Sequence, residues 1–565
     1  MQKTMKGLRN RLNIGLIAVL LFGMASMQRT NDEYFEITKN IDIFGKVLRE
    51  VSLRYVDEVE TNAFVRKGLD AMLGSLDPYT NFISSAEIED FRFMSTGEYG
   101  GIGARIVSRD GKIIITEPYK DKPAYNSGLR AGDEIIQIDD EQVEGKEFSS
   151  LDIRNMLRGE ANKSVVVKVR RYGEEEPLTM TVIRDKIKID NVPYYGYVED
   201  GIGYLSLSGF TRDASAEVEN ALKKLKEENP DIEGVIIDLR DNPGGLLFQA
   251  INIANLFVPQ GETIVETKGR MEGSLKVYSA QQPAYDLEIP VAVLINGRSA
   301  SASEIVSGVM QDLDRGVVVG RKSFGKGLVQ TTRPLSYNNQ IKITTARYYT
   351  PSGRCIQAID YSNREEDGSV IRTPDSLSSE FRTRSGRPVR DAGGIDPDIE
   401  VKEEKLHNIT TELVRQYLIF DFATKYYYDN QNNPPDPRQF EITDAIYEDF
   451  IAFVNEQGFE YESNIQKELD KFHELLKEEK YYDEIAAEVE RLEQEIVSQR
   501  SRDIRLHRKE ISKYLLEEII ARYHYQRGRI QAGFRNDEAV QSAIEVLQDP
   551  ERYNEILAGP QGDAK

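Results

Sequence analysis

Histidine is absent from the first 406 residues of this 565-residue chain; its four copies are His407, His473, His507 and His524. The commonest general base is therefore missing from most of the sequence. Cysteine is nearly absent too. With Cys355 alone, no intrachain disulfide and no thiolate metal cluster can form. Basic residues do not predominate: the formal charge is −22, which argues against a nucleic-acid binder needing a broad basic face and fits a soluble, self-repelling surface. Long apolar runs are scarce. The one near the start, Ile14 to Ala25, follows Lys3, Lys6, Arg9 and Arg11. It has the length of a signal-peptide core and falls short of the roughly 20 residues of a bilayer span. Gly23 and Ala25 supply small residues before a cleavage point, so residues 1–26 read as a signal peptide or retained anchor. A buried N-terminal helix is the competing reading, disfavoured by the basic flank and the polar stretch from Arg29 to Glu33.

At this length three or four domains are expected. A composition 39% hydrophobic and 30% charged is that of a globular protein. Residues 32–96 carry apolar residues at helical spacing (Ile41, Phe44, Val47, Leu48, Val51), and Leu76-Asp77-Pro78-Tyr79 breaks the pattern. Residues 97–186 change to short β-rich runs separated by Gly and Asp turns. Residues 187–404 alternate apolar strand-type runs (Ile202–Leu207, Gly234–Leu239, Val291–Ile295) with helical stretches, which predicts an α/β layer. Residues 405–565 are helical, acidic and Tyr-rich, with Ile485, Val489, Leu492 and Ile496 forming a packing stripe.

The β-rich segment contains Gly128-Leu129-Arg130-Ala131-Gly132-Asp133-Glu134-Ile135-Ile136-Gln137-Ile138 and, upstream, Gly100-Gly101-Ile102-Gly103. The first resembles the signature of PDZ domains and the second their carboxylate-binding loop. Successive backbone N–H groups at such a loop, here Gly101, Ile102 and Gly103, can hold a C-terminal carboxylate while the peptide adds as a strand. The helix from Ser149 to Leu157 would form the other wall.

A second constellation follows the strand Val291–Ile295. Ser299-Ala300-Ser301-Ala302-Ser303-Glu304 opens an apolar helix, a setting that exposes a side chain beside free N–H groups. Ser301 and Glu304 also fit a capping box, and both roles can coexist at one helix start. With no histidine at hand, lysine is the remaining base type known to activate serine. Its pKa must fall from about 10.4 to near neutrality, at a cost of about 4 kcal/mol that burial can supply. Lys322 and Lys326 are both near enough in sequence to serve.

Together with Leu76-Asp77-Pro78, Asp238-Leu239-Arg240-Asp241-Asn242-Pro243-Gly244-Gly245, Phe324-Gly325-Lys326-Gly327-Leu328-Val329-Gln330, Tyr348-Tyr349-Thr350-Pro351-Ser352-Gly353-Arg354 and Gly393-Gly394-Ile395-Asp396-Pro397-Asp398, these motifs resemble the C-terminal processing, or tail-specific, proteases of bacteria and chloroplasts over residues 35–402. The resemblance implies a serine endopeptidase with Ser301 as nucleophile, Lys326 as base and Gln330 orienting the lysine. It maps the oxyanion donors to the N–H groups of Gly245 and Ala302. It also implies a multi-domain α+β protein: N-terminal helices, a PDZ domain, a protease core similar to the crotonase fold, and outside the resemblance an all-helical C-terminal domain. Protein substrates with accessible C-termini are the expected partners, and the periplasm or cell envelope the expected location. No cofactor and no metal are expected, the histidines having no metal-ligand spacing. The tail is expected to dock on the core or on a second copy and to supply no catalytic group. Cys355 is expected to be a packed thiol.

Two other readings compete. Gly320-Arg321-Lys322-Ser323-Phe324-Gly325-Lys326-Gly327 nearly spells a phosphate-binding loop, but Gly327 stands where Ser or Thr would hold Mg²⁺, and strand rather than helix follows. The other is a non-catalytic PDZ adaptor on an inactive protease scaffold, which the intact Ser, Lys and Gln oppose.

Overall fold

The computed structural model describes residues 34–364, 370–402, 405–461, 464–479, 481–497 and 500–559. The expected signal segment 1–26 lies outside them. Two units are distinguished, one ending at Phe82 and the other beginning at Ile83. In the first, helices span 34–54 and Thr61–Gly74. The apolar residues Ile41, Phe44 and Val47 of the leading helix are exposed. Leu76-Asp77-Pro78-Tyr79 is a turn in which Asp77 Oδ1 accepts the N–H groups of Tyr79 and Thr80. Helix does not run unbroken to residue 95: a further helix, Ile88–Thr96, opens the second unit and stops at Gly97, held at φ 70°.

The PDZ-like segment is an antiparallel sheet in the order 104–109, 112–118, 134–138, 164–170, 178–183. Val165, Val167 and Val169 face its core in strict alternation. Strand Glu98–Gly101 pairs with Asp185–Lys188, so the module's entry and exit are stitched together. Within the signature, Gly128 and Gly132 both sit at φ 93°. The fully buried Asp133 accepts the N–H of Arg130 and pairs with both Nε and Nη2 of Arg171 at 2.7 Å.

The protease-like segment is built on a six-stranded sheet in the order 194–199, 202–206, 234–238, 291–295, 317–320, 399–400, parallel except for the first pairing. Gly234–Asp238, Val291–Ile295 and Val317–Gly320 are buried on both faces, which is why they read as continuous apolar runs. Alternate residues enter different cores. Val235, Ile237, Val293 and Val318 pack under helices Ala214–Glu228, Leu247–Asn255 and Ala302–Asp312. Ile236, Ala292, Leu294, Val317 and Val319 pack on the other side against Phe534, Ala543, Ile544, Leu547 and Tyr553.

The 405–565 segment therefore does more than dock as a separate body. Residues 409–454 and 504–519 share a core of their own, but helices Glu538–Leu547 and Pro550–Ala558 form the second covering layer of the six-stranded sheet. The Arg508–Gly533 helix connects the two and is broken at Tyr525, φ 56° and ψ −156°. Of the expected stripe, Val489 is buried and Leu492 half-exposed.

Candidate active site

Ser301 stands at the sharp turn between the central strand Val291–Ile295 and the buried helix Ala302–Asp312, with φ 56° and ψ −109°. A non-glycine residue held in this sparsely populated region is kept there by its surroundings. Here they are explicit. Ser299 Oγ donates to Leu239 O at 2.8 Å, Ser303 Oγ donates to Asn242 O at 2.9 Å, and both serines are fully buried. Ser301, between them, is only half-buried. The fully buried Tyr348 hydroxyl donates to Ser301 O at 3.1 Å.

The capping box read from the sequence is present, but Glu304 does more than cap. Its Oε2 accepts the N–H of Ser301 at 2.7 Å and of Lys326 at 2.9 Å. Its Oε1 accepts the Ser323 hydroxyl at 2.5 Å and the N–H of Gly325 at 2.7 Å. One buried carboxylate thus fastens the Ser301 turn to the Lys326 loop, and four donors match the acceptor capacity of its ionised form. Burial still pushes its pKa above the usual carboxylate range, while the Ser323 hydroxyl and the three N–H groups pull it down. Nothing local in the sequence points to the reach of Glu304 across to residues 323–326. The same bonds dispose of the phosphate-loop reading: the N–H groups of Gly325 and Lys326 already hold a carboxylate, and strand Leu328–Pro334 follows where a helix is required.

The glycines of this loop answer to close approach. A Cβ on Gly325 (φ 88°) would lie 2.4 Å from that of Ala358, and one on Gly327 would lie 2.8 Å from the N of Gln357. Between them Lys326 is half-buried, its main chain pinned. Gln330 sits on strand Leu328–Pro334 beside a register shift, and its Nε2 donates to Thr344 Oγ1 at 3.2 Å. Lys322 faces Asp396 at 3.2 Å instead.

The Asp238–Gly245 motif lies alongside. Asn242 Oδ1 accepts the N–H of Gly244, its Nδ2 donates to Leu207 O, and its O accepts the N–H of Ala300. Gly244 (φ 97°) runs so close to the serine turn that a Cβ would lie 3.0 Å from that of Ser301. Gly245 is bridged to Phe210 through the flanking groups only: Phe210 N–H donates to Gly244 O and Leu246 N–H donates to Phe210 O. The N–H of Gly245 is left without an acceptor among the described residues. Ala302 is the first residue of its helix, where an N–H has no intrahelical partner. The structure therefore gathers Ser301, Ala302, the main chain of Lys326 and the Gly244–Gly245 turn into one place: a half-buried serine at a helix start beside a tight glycine turn, where unspent N–H groups can serve an oxyanion.

The C-terminal segment reaches the same motif. Arg240 pairs with Asp238 at 2.6 Å and with Asp537 at 2.8 Å, and Asp238 accepts the Tyr204 hydroxyl. Asp537 also caps the Glu538–Leu547 helix. The sequence offered no sign of this partner.

In the PDZ-like segment, the carbonyls of Ile102 and Gly103 accept the N–H groups of Ala124 and Tyr119, while their own N–H groups have no acceptor among the described residues. Gly101 lies at the end of the strand that stitches the module. A groove of about 530 Å³ opens beside them between strand Ala104–Arg109 and helix Ser150–Leu157, with Tyr99, Ile102, Leu157 and the cations Arg105, Arg154 and Arg158 on its walls. Cys355 is partly exposed, and burial pushes its thiol pKa up, which makes a poor nucleophile of it. Two histidines with no metal-ligand spacing in sequence are together in space: the rings of His407 and His507 lie 3.8 Å apart.

The family profile described as "Peptidase family S41" matches residues 201–363, the "PDZ domain" profile residues 114–171, and "Probable PDZ-protease, C-terminal helical domain" residues 409–547. A "Carboxy-terminal-processing protease" of Bartonella bacilliformis is 37% identical over 61% of this chain and 78% of its own length. The chain belongs to peptidase family S41. A "Probable CtpA-like serine protease" of Staphylococcus epidermidis is 30% identical over 78% of this chain and 82% of its own. Among solved structures, "Photosystem II D1 C-terminal processing protease" is similar at 27% identity and a TM-score of 0.35, covering 63% of this chain and 86% of that one. The S41 protein described here is a serine-type C-terminal processing peptidase with a PDZ domain and a C-terminal helical domain.

Proposed function

We propose that this S41 peptidase cleaves peptide bonds with a Ser301–Lys326 dyad and selects substrates by their free C-termini. The observation that carries the dyad is Glu304, whose Oε2 holds the main chains of both residues. Neutral Lys326 takes the Ser301 proton as Oγ attacks the scissile carbonyl. The oxyanion is met by the N–H groups of Gly245 and Ala302. The lysine, now an ammonium, protonates the leaving amine and leaves an acyl-serine. It then takes a proton from water as the water oxygen attacks the acyl carbon, and returns that proton to Ser301 Oγ as the ester C–O bond breaks and the new C-terminal carboxylate leaves. Gln330, fixed by Thr344, sets the orientation of Lys326. The N–H groups at Gly101, Ile102 and Gly103 receive a substrate's terminal carboxylate, supported by the three arginines around the groove. The basic, then apolar N-terminus supports placement in the periplasm or cell envelope.

Labelling by a serine-reactive phosphonate, read beside cleavage of an unfolded protein with its C-terminus free or amidated, tests this reading. Wild type labels at Ser301 and prefers the free C-terminus; Ser301→Ala neither labels nor cleaves. Absence of labelling in the folded wild type would favour the non-catalytic adaptor. Equal cleavage of both substrates would remove the C-terminal selection and leave the dyad.

A further inference from the structure

His407 begins the helix Asn408–Arg415 and His507 begins the helix Arg508–Gly533. The fold brings these helix starts together with their imidazole rings tilted 31° at 3.8 Å. Glu510, 103 residues from His407 and one turn into the second helix, places Oε2 at 2.7 Å from His407 Nδ1, while its Oε1 accepts the His407 N–H at 3.1 Å. One potential ligand atom from each of the three side chains lies within 4.8 Å of the other two. Among the described residues no other such group of His, Cys, Asp and Glu occurs.

Packing alone gives little reason for this pairing, because His407 is more than half exposed. Two imidazoles and one carboxylate are a donor set for a borderline transition metal. The three residues border a cavity of about 880 Å³, with room for a water as fourth ligand. Its lining mixes cations (Lys402, Lys405, Lys509, Lys513, Arg535) with the carboxylates Glu400, Glu538 and Glu545. Mg²⁺ and Ca²⁺ take oxygen ligands, so a group in which two of three donors are imidazole nitrogens selects a transition metal.

We infer that His407, His507 and Glu510 form a binding site for one divalent transition-metal ion, of which Zn²⁺ is the representative. The metal replaces the His407–Glu510 hydrogen bond and draws the ligand atoms to about 2.0–2.2 Å from itself. Its role is structural. It ties the chain just beyond the last sheet strand, Ile399–Glu400, to the helix whose far end delivers Phe534 and Asp537 to the protease sheet. The inference stands apart from the proposed dyad, since none of its residues touches Ser301 or Lys326.

The test uses the full chain without an affinity tag, stripped by a chelator and dialysed against Zn²⁺ alone. Wild type is expected to retain one Zn²⁺ per chain and to gain thermal stability on binding it. His507→Gln, with an unchanged melting midpoint in the absence of metal, is expected to bind at least about tenfold more weakly and to lose the Zn²⁺-dependent gain. His524→Gln, at a histidine that bonds Pro435 O instead, keeps both. Co²⁺ in place of Zn²⁺ gives the visible bands of a low-coordinate nitrogen and oxygen site in wild type and not in His507→Gln. Failure of wild type to bind, or the same stoichiometry and affinity in His507→Gln, overturns the inference.

Discussion

The two faces of the protease sheet are equally dry but differently supplied. One is covered by helices from within the same segment of chain, Ala214–Glu228, Leu247–Asn255 and Ala302–Asp312. The other is covered by Phe534 to Tyr553, which arrive only after the PDZ, core and helical segments are complete. A core can thus be closed by a piece of chain remote in sequence. The C-terminal helical domain of this S41 peptidase is then partly an accessory and partly a wall of the enzyme.

Removing that wall has the largest expected effect. Truncation after Gly533 exposes Ile236, Leu294, Val317 and Val319 on one face. Each buried side chain of this size is worth about 1.5–3 kcal/mol, and the sum rivals a typical domain stability of about 5–15 kcal/mol. The truncated chain is expected to aggregate and to lose phosphonate labelling. A soluble, normally labelling product would show that the second face needs no cover. A milder comparison uses one residue per face. Leu547→Ala and Leu222→Ala are each expected to cost about 2–5 kcal/mol in denaturant unfolding. A Leu547→Ala cost near zero would make the outer layer a loose attachment.

Asp537→Asn sharpens the comparison by asking whether the remote layer also steadies the site. The Arg240 pairing holds the Asp537 pKa below the usual value despite burial. A carboxyl lowered in the folded state contributes stability above its unfolded pKa of about 3.9 and loses it as pH falls through the folded value. Wild type should therefore lose more stability than Asp537→Asn on acidification below about pH 4, and at pH 7 the variant should be less stable by about 1–3 kcal/mol. Because Arg240 belongs to the stretch ending at Gly245, slower labelling of Ser301 is expected as well. Equal acid limbs in urea melts at several pH values would refute the pairing. The smallest effect is expected at Tyr553→Phe, which removes the hydroxyl that accepts the Val291 N–H at 3.0 Å. About 1 kcal/mol is at stake, readable as a small fall in melting midpoint with labelling intact.

What the sequence made legible is local. The runs Gly234–Leu239 and Val291–Ile295 announced strands of an α/β layer, and they are continuously apolar because both faces of each are covered. Gly244, Gly245 and Gly325 marked backbone that must adopt positive φ or pass close to a neighbour. A serine at a strand-to-helix turn was visible for the same reason. Periodicity, in contrast, records that a helix has an apolar face and is silent on what covers it. Glu538–Leu547 therefore read only as part of a helical tail that docks on the core or on a second copy, and nothing marked Asp537. Glu304 was read only as the cap of its own helix, since its bonds to Ser323, Gly325 and Lys326 are closed by tertiary folding. The meeting of His407 with His507 escaped for the same cause: residues far apart leave no spacing to recognise.

The central claim is that a lysine, and this lysine, is the base. It is tested most directly by the pH dependence of kcat/KM on a short peptide for wild type, Lys326→Ala and Lys322→Ala. Wild type and Lys322→Ala are expected to rise with pH through one ionisation, that of the lysine base, without a histidine step near 6.5. Lys326→Ala should lose activity by several orders of magnitude while remaining folded. The same ionisation persisting in an active Lys326→Ala would contradict the account.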